Sequence, residues 1–311
     1  MQSSKLAPGD TIGVFSPASP LRDKKKPAYL NGISYLQEKG YKIVEGKHVL
    51  DDHGYLAGTD DSRLGDLNEM INNPAVKAII CSRGGYGSLR LLGEIDYEAL
   101  KNQSKIFVGY SDVTSLQLAM LTKTGLITFS GPMVAVEFGN GIDALTEQSF
   151  WDMITKPSPH TLPANWGPFR PQILNPGIAS GKLIGGCFSL VTASIGTPYF
   201  PDISGAILIL EDIDEETYCL DRHFGQLKNA GILDEINGLV LGEFINADQT
   251  AGDQNLYEVI RDYTARLDIP ILSGFPYGHG AIKHTLPVGC PVELNTEHGY
   301  LKMLQAGVRD D

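Results

Sequence analysis

Hydrophobic and polar positions in the first half of the chain fall into two alternating patterns. Compact β-branched and aromatic runs stand at TIGVFSP (11–17), YKIVEG (41–46), VKAIICSR (76–83), KIFVGYS (105–111) and LITFSGP (126–132). Helical stretches lie between them, near 27–39, 60–72, 87–94 and 112–124. Short buried strands alternating with helices predict parallel β-α-β units with helices on both faces of the sheet. A proline-rich segment, 156–176, then breaks the pattern and predicts a linker without regular elements. Beyond it, strands are expected at GKLIGG (181–186), AILILE (206–211), GLVLGEF (238–244), PILSGFP (270–276), PVELNT (291–296) and YLKML (300–304), with helices near 187–196, 219–230 and 255–267. The expected architecture is α/β: an N-terminal domain (1–155) with a doubly wound parallel sheet, and a smaller C-terminal domain (177–311) with a mixed β/α sheet.

Composition removes several function classes. A length of 311 residues suits two domains. The net charge of −12 argues against nucleic acid and against an anionic membrane surface as partners, and leaves room for a local basic pocket. No uncharged apolar run reaches about 18 residues, so no membrane-spanning helix is expected. The opening MQSSKLAPGDTIGVF has no basic segment followed by an apolar one, so no secretory signal is expected. Cys81, Cys187, Cys219 and Cys290 are scattered without a CxxC pair, as suits reduced thiols in a cytoplasmic protein. The histidines form no HExxH pair and no ligand-like cluster with cysteines.

The segment KIFVGYSDVTSLQLAMLTKTG (105–125) reads as strand, sharp bend and helix, with Ser111 at the bend. A serine held there exposes its hydroxyl, and the next backbone N–H, that of Asp112, points into the same space. The alternative is that Ser111 or Asp112 caps the helix. The loop SRGGYGSLR (82–90) follows another strand. It lacks the spacing and the position of a dinucleotide fingerprint, but could hold an anion or bring a glycine N–H, that of Gly85, close to Ser111. The rival reading is a plain tight turn.

A serine nucleophile needs a base, usually a histidine held by a carboxylate. His279 lies in a loop between Gly278 and Gly280, and His284 is its rival in that loop. His223 lies in a helical stretch, where packing is the commoner role. Glu211 ends the apolar run AILILE, and a charge there needs a partner. The tract EDIDEE (211–216) also reads as a solvated acidic loop or a cation site. Taken as a set, Ser111 would come from the first domain, and Glu211 and His279 from the second.

These blocks, read in order, carry a resemblance. LAPGDTIGVFSPASP (6–20), YLAGTDDSRLGDLNEM (55–70), AIICSRGGYGSLRLL (78–92), VGYSDVTSL (108–116), LILEDIDEETYCLDR (208–222) and GFPYGHGAIKHTLPVG (274–289) make the chain similar to the LD-carboxypeptidases of the serine peptidase type. That family includes muropeptide L,D-carboxypeptidases and microcin C self-immunity peptidases. The resemblance implies a Ser111–His279–Glu211 triad and an oxyanion hole from the amides of Gly85 and Asp112. It also implies no metal or nucleotide cofactor, a homodimer, and a flavodoxin-like N-terminal half. The implied substrate is a murein tetrapeptide, which loses its terminal D-alanine. Arg83 and Arg222 are the candidates for holding a terminal carboxylate, and Tyr86 for lining the cleft. An immunity-type peptidase that cleaves an aminoacyl-nucleotide amide is the alternative; the wording RGGYG favours the muropeptide enzyme. Where many members read GGN, this chain reads Gly185-Gly186-Cys187.

Overall fold

In the computed structural model, which describes residues 1–23, 25–247 and 255–310, the apolar runs of the first half become central strands because both their faces are covered. Ile106–Gly109 and Thr128–Ser130 are buried throughout, and in Val76–Cys81 only Lys77 reaches solvent. Five parallel strands lie in the order Lys42–Glu45, Thr11–Phe15, Val76–Cys81, Ile106–Gly109, Thr128–Ser130. Numbered along the chain this is 2-1-3-4-5, the flavodoxin-like arrangement. Helices Lys25–Glu38, Asp60–Asn72 and Thr114–Thr124 connect them.

A sixth strand of this sheet comes from the far end of the chain. Leu286–Val288 pairs antiparallel with Thr128–Ser130 and covers what would otherwise be an open edge. The apolar core is continuous across the same boundary: Val14, Ile80 and Val108 belong to one cluster with Ile209, Val240 and Leu294.

The second sheet, expected to be the smaller one, has eight strands. Four are parallel neighbours in the order Ile178–Cys187, Ile207–Ile213, Gly238–Ile245, Ile271–Ser273. Pro291–Asn295 and Tyr300–Met303 add antiparallel partners on one side. The two outermost strands correct the sequence reading of 156–176 as free of regular elements: Thr161–Pro163 and Gln172–Asn175 lie at opposite ends of this sheet. Proline is compatible with such positions because an edge strand uses only one of its hydrogen-bonding sides.

Among the elements not read from the pattern, two bear on the site and its support. Helix Ala144–Thr155 begins at Asp143, whose carboxylate accepts the Leu145 N–H at 2.8 Å, and it buries Phe150, Met153 and Ile154. A single π-helical turn, Val134–Phe138, carries Glu137. Among the described residues no helix is long and apolar enough to cross a membrane.

A shared strand and a shared core predict that the two halves unfold together. Tryptophan fluorescence and far-UV circular dichroism should give one coincident urea transition. Leu286→Ala, at a fully buried position, should lower stability by about 2–5 kcal/mol for both probes alike. Two separated transitions would contradict this.

Candidate active site

Backbone strain marks the bend after strand Ile106–Gly109. Ser111 has φ +64°, a left-handed conformation that non-glycine residues avoid. It opens a 3-10 turn, Ser111–Val113, that runs into helix Thr114–Thr124. Neither Ser111 nor Asp112 forms a side-chain cap on these helices. The Asp112 carboxylate instead accepts the backbone N–H of Ser88 at 2.8 Å, which ties the glycine loop to the serine bend. As the second residue of a helical turn, Asp112 also has an N–H with no partner inside that turn.

The glycine loop passes directly over the serine. A Cβ on Gly84 would lie 2.9 Å from the Ser111 Cβ and 3.1 Å from its Oγ. Gly85 has φ +128°, and the space a side chain would need there is filled by Ser19. The Ser19 Oγ accepts the Tyr86 N–H at 3.2 Å. Tyr86 is exposed, with its ring edge-to-face on Tyr55. Half-buried Arg83 donates to the Pro20 carbonyl at 3.2 Å, and burial lowers its pKa.

The second half supplies a carboxylate and an imidazole. Glu211, on strand Ile207–Ile213, is 0% exposed and accepts a hydrogen bond from His279 Nδ1 at 2.6 Å. Whenever that carboxylate is ionised it can only accept, which places the imidazole proton on Nδ1 and leaves Nε2 as an acceptor. Both glycines beside His279 are forced by carboxylates. A Cβ on Gly278 would lie 2.9 Å from Glu211 Oε2, and one on Gly280 would lie 2.0 Å from Glu243 Oε2. The His279 ring also meets Tyr110, the residue before Ser111, edge-to-face with centroids 5.2 Å apart. The serine bend and the histidine loop are thus in contact across the two halves.

The rivals of His279 have other work. His284 is buried in a stack on Trp166, and its Nε2 donates to the Pro163 carbonyl at 3.0 Å. Burial pulls its pKa down to about 4, so it is neutral near pH 7. His223 meets Thr192 Oγ1 at 2.9 Å. In the EDIDEE tract, buried Asp212 accepts the Ser189 N–H at 2.8 Å, and Asp214 accepts from Asn246 at 2.7 Å. Arg222 is exposed on helix Thr217–Asn229, its guanidinium 5.4 Å from the centre of the Tyr218 ring. Cys187 lies opposite Glu211 in the strand register, with its Sγ 3.4 Å from Asp212.

Sequence reasoning missed the groups beneath these residues. Lys283 Nζ donates to Glu137 Oε1 at 2.6 Å, and that oxygen also accepts from the Tyr110 hydroxyl at 2.8 Å. Glu243 has a buried Oε2 without a partner. Burial raises its pKa, and Glu211 adds to the rise. A charged residue inside an apolar run, as in PMVAVEF (132–138), was the available signal.

Comparison with known proteins identifies the family. The LD-carboxypeptidase N-terminal domain matches residues 12–131, and the LD-carboxypeptidase C-terminal domain matches residues 180–294. A probable murein peptide carboxypeptidase of Bacillus subtilis is 38% identical over 308 residues, covering 98% of this chain and 94% of the relative. Among solved structures, the self-immunity protein MccF in complex with glutamyl sulfamoyl guanosine superposes with a TM-score of 0.92 at 30% identity, covering 99% of both chains. The muramoyltetrapeptide carboxypeptidase of Oxalobacter formigenes gives a TM-score of 0.83 at 31% identity, covering 97% of this chain and all of the other. Fold and relatives together define a serine-type carboxypeptidase. The chain belongs to the LD-carboxypeptidase family.

Burial raises the pKa of Glu211 above its ordinary 4.5, outweighing the hydrogen bond and charge of His279 that act against the rise. A raised carboxylate favours folding fully below pH 4.5, and that contribution is lost as pH rises through the raised value. Glu211→Gln removes this dependence. The urea midpoint of the variant, relative to the parent protein, should therefore climb as pH rises above 4.5. A pH-independent difference would contradict the assignment.

Proposed function

We propose that this protein releases the terminal D-alanine of murein tetrapeptides by hydrolysing the amide on the carboxyl side of an L-centred diamino acid. The observation that carries the reading is the buried Glu211–His279 hydrogen bond, lying against the strained serine bend through Tyr110. Ser111 is the nucleophile. Its Oγ attacks the carbonyl while His279 Nε2 takes the proton, and Glu211 stabilises the imidazolium. The amides of Gly85 and Asp112 receive the developing oxyanion, each worth about 10²–10³ in rate. His279 returns the proton to the departing D-alanine amine. Water then cleaves the acyl-enzyme by the same relay.

A carboxypeptidase must also bind a free carboxylate. We assign this to Arg83, whose position next to the glycine loop suits it, with Tyr86 alongside. Arg222 is the second candidate. The resemblance supports a homodimer acting in the cytoplasm on a peptide substrate. The four unpaired cysteines fit a reducing compartment, and the net charge of −12 suits neither nucleic acid nor an anionic membrane. A second reading, cleavage of an aminoacyl-nucleotide amide, draws on the closer superposition with the MccF complex.

Purified protein should release D-alanine from murein tetrapeptide, and an aminoacyl sulfamoyl nucleoside offered in parallel should be the poorer substrate. The reverse preference would favour the second reading. Ser111→Ala should lower kcat by about 10⁴–10⁶-fold with the fold retained. Near-parent turnover in that variant would eliminate the acyl-enzyme route.

A further inference from the structure

Beneath the proposed triad lies a buried ion pair that neither the substrate nor the acyl transfer needs for its chemistry. Glu137 comes from the π-turn of the first half, and Lys283 from the histidine loop of the second, four residues after His279. Their side chains are 9% and 2% exposed, and Nζ lies 2.6 Å from Oε1. The same Oε1 accepts the Tyr110 hydroxyl at 2.8 Å, and Oε2 accepts the Met133 N–H at 3.0 Å. The Lys283 ammonium also sits 3.9 Å from the centre of the Tyr110 ring. Tyr110 precedes Ser111 and touches the His279 ring. The contacts therefore meet at Tyr110, which leads into Ser111 along the chain, touches the His279 ring, and is held from below by both Glu137 and Lys283.

We propose that Glu137, Lys283 and Tyr110 are positioning residues that fix the distance between the Ser111 hydroxyl and the His279 imidazole across the two halves of the molecule. The inference rests on the assignment of Ser111 and His279 above. The nucleophile follows strand Ile106–Gly109 of the first sheet, the base lies in the long loop between Ile271–Ser273 of the second sheet and Leu286–Val288 of the first, and a misplacement of about 1 Å costs about 10²-fold in rate. Two salt-bridged side chains shielded from water, sharing one oxygen with the nucleophile's own neighbour, hold that spacing more tightly than apolar packing. Burial alone would raise the Glu137 pKa, but Lys283, with the Met133 N–H and the Tyr110 hydroxyl, brings it below its usual value.

Removing one member of a buried pair leaves an uncompensated charge, whereas removing both does not. The test is therefore the double variant Glu137→Gln/Lys283→Met together with Tyr110→Phe, which keeps the ring and both charges. Two readings are taken for each: D-alanine release from murein tetrapeptide, and the rate at which a fluorophosphonate labels Ser111. The double variant should keep the parent circular dichroism, lose about 10²-fold in kcat and in labelling rate, and hold KM within about threefold. Tyr110→Phe should fall several-fold in both rates. Parent rates in either folded variant overturn the proposal, and if the double variant does not fold, Tyr110→Phe decides alone. A parent chain that labels at Ser111 but releases no D-alanine overturns the substrate reading only, and the labelling rates still judge the positioning. A parent chain that does neither overturns both.

Discussion

The molecule is organised around one hydrogen bond, from His279 to the fully buried carboxylate of Glu211. Taking an ion out of water is costly unless it is paired. The surrounding chain meets that demand through several local choices. The strand of Glu211 ends under the histidine loop, and Gly278 is bare so that the loop can approach the carboxylate. Glu211 keeps one oxygen, Oε1, without a partner. Its pKa stays raised despite the histidine. Such a carboxylate is destabilising at neutral pH, and it fixes the ring of the histidine it meets. Natural sites commonly carry strain of this kind where function requires it.

The fold was legible wherever burial is two-sided. The runs at 11–17, 76–83 and 105–111 are continuous apolar stretches bounded by glycine or polar turns, and each became a central strand. Legibility failed where stability comes from pairing instead of from side chains. Thr161–Pro163 and Gln172–Asn175 are edge strands in a proline-rich tract, and nothing in their composition separates them from coil. Helix Ala144–Thr155 mixes polar and aromatic residues too evenly for its spacing to stand out.

The site divides in the same way. Ser111, Glu211 and His279 each carry a local signal: a serine at a strand-to-helix bend, a charge ending an apolar run, and a histidine between glycines. Glu137 shows only a charge inside an apolar run, and its pairing with Lys283 is hidden, because an ion pair is a relation between residues far apart in the chain. The role of the Asp112 side chain was hidden for the same reason. Its partner, Ser88, is reached only once two neighbouring strands have been laid side by side.

The strand Leu286–Val288 has a consequence for how the protein is made. During synthesis the first sheet emerges complete but for that strand, with the Thr128–Ser130 edge unpaired. At ribosomal speeds of about 5–20 residues per second, the missing piece arrives on the order of ten to thirty seconds later. Through that interval the nascent polypeptide exposes an adhesive border. It also lacks the imidazole, which is translated only just before the closing strand. Arrival of the Glu211-paired imidazole and sealing of the first sheet thus fall at nearly the same moment.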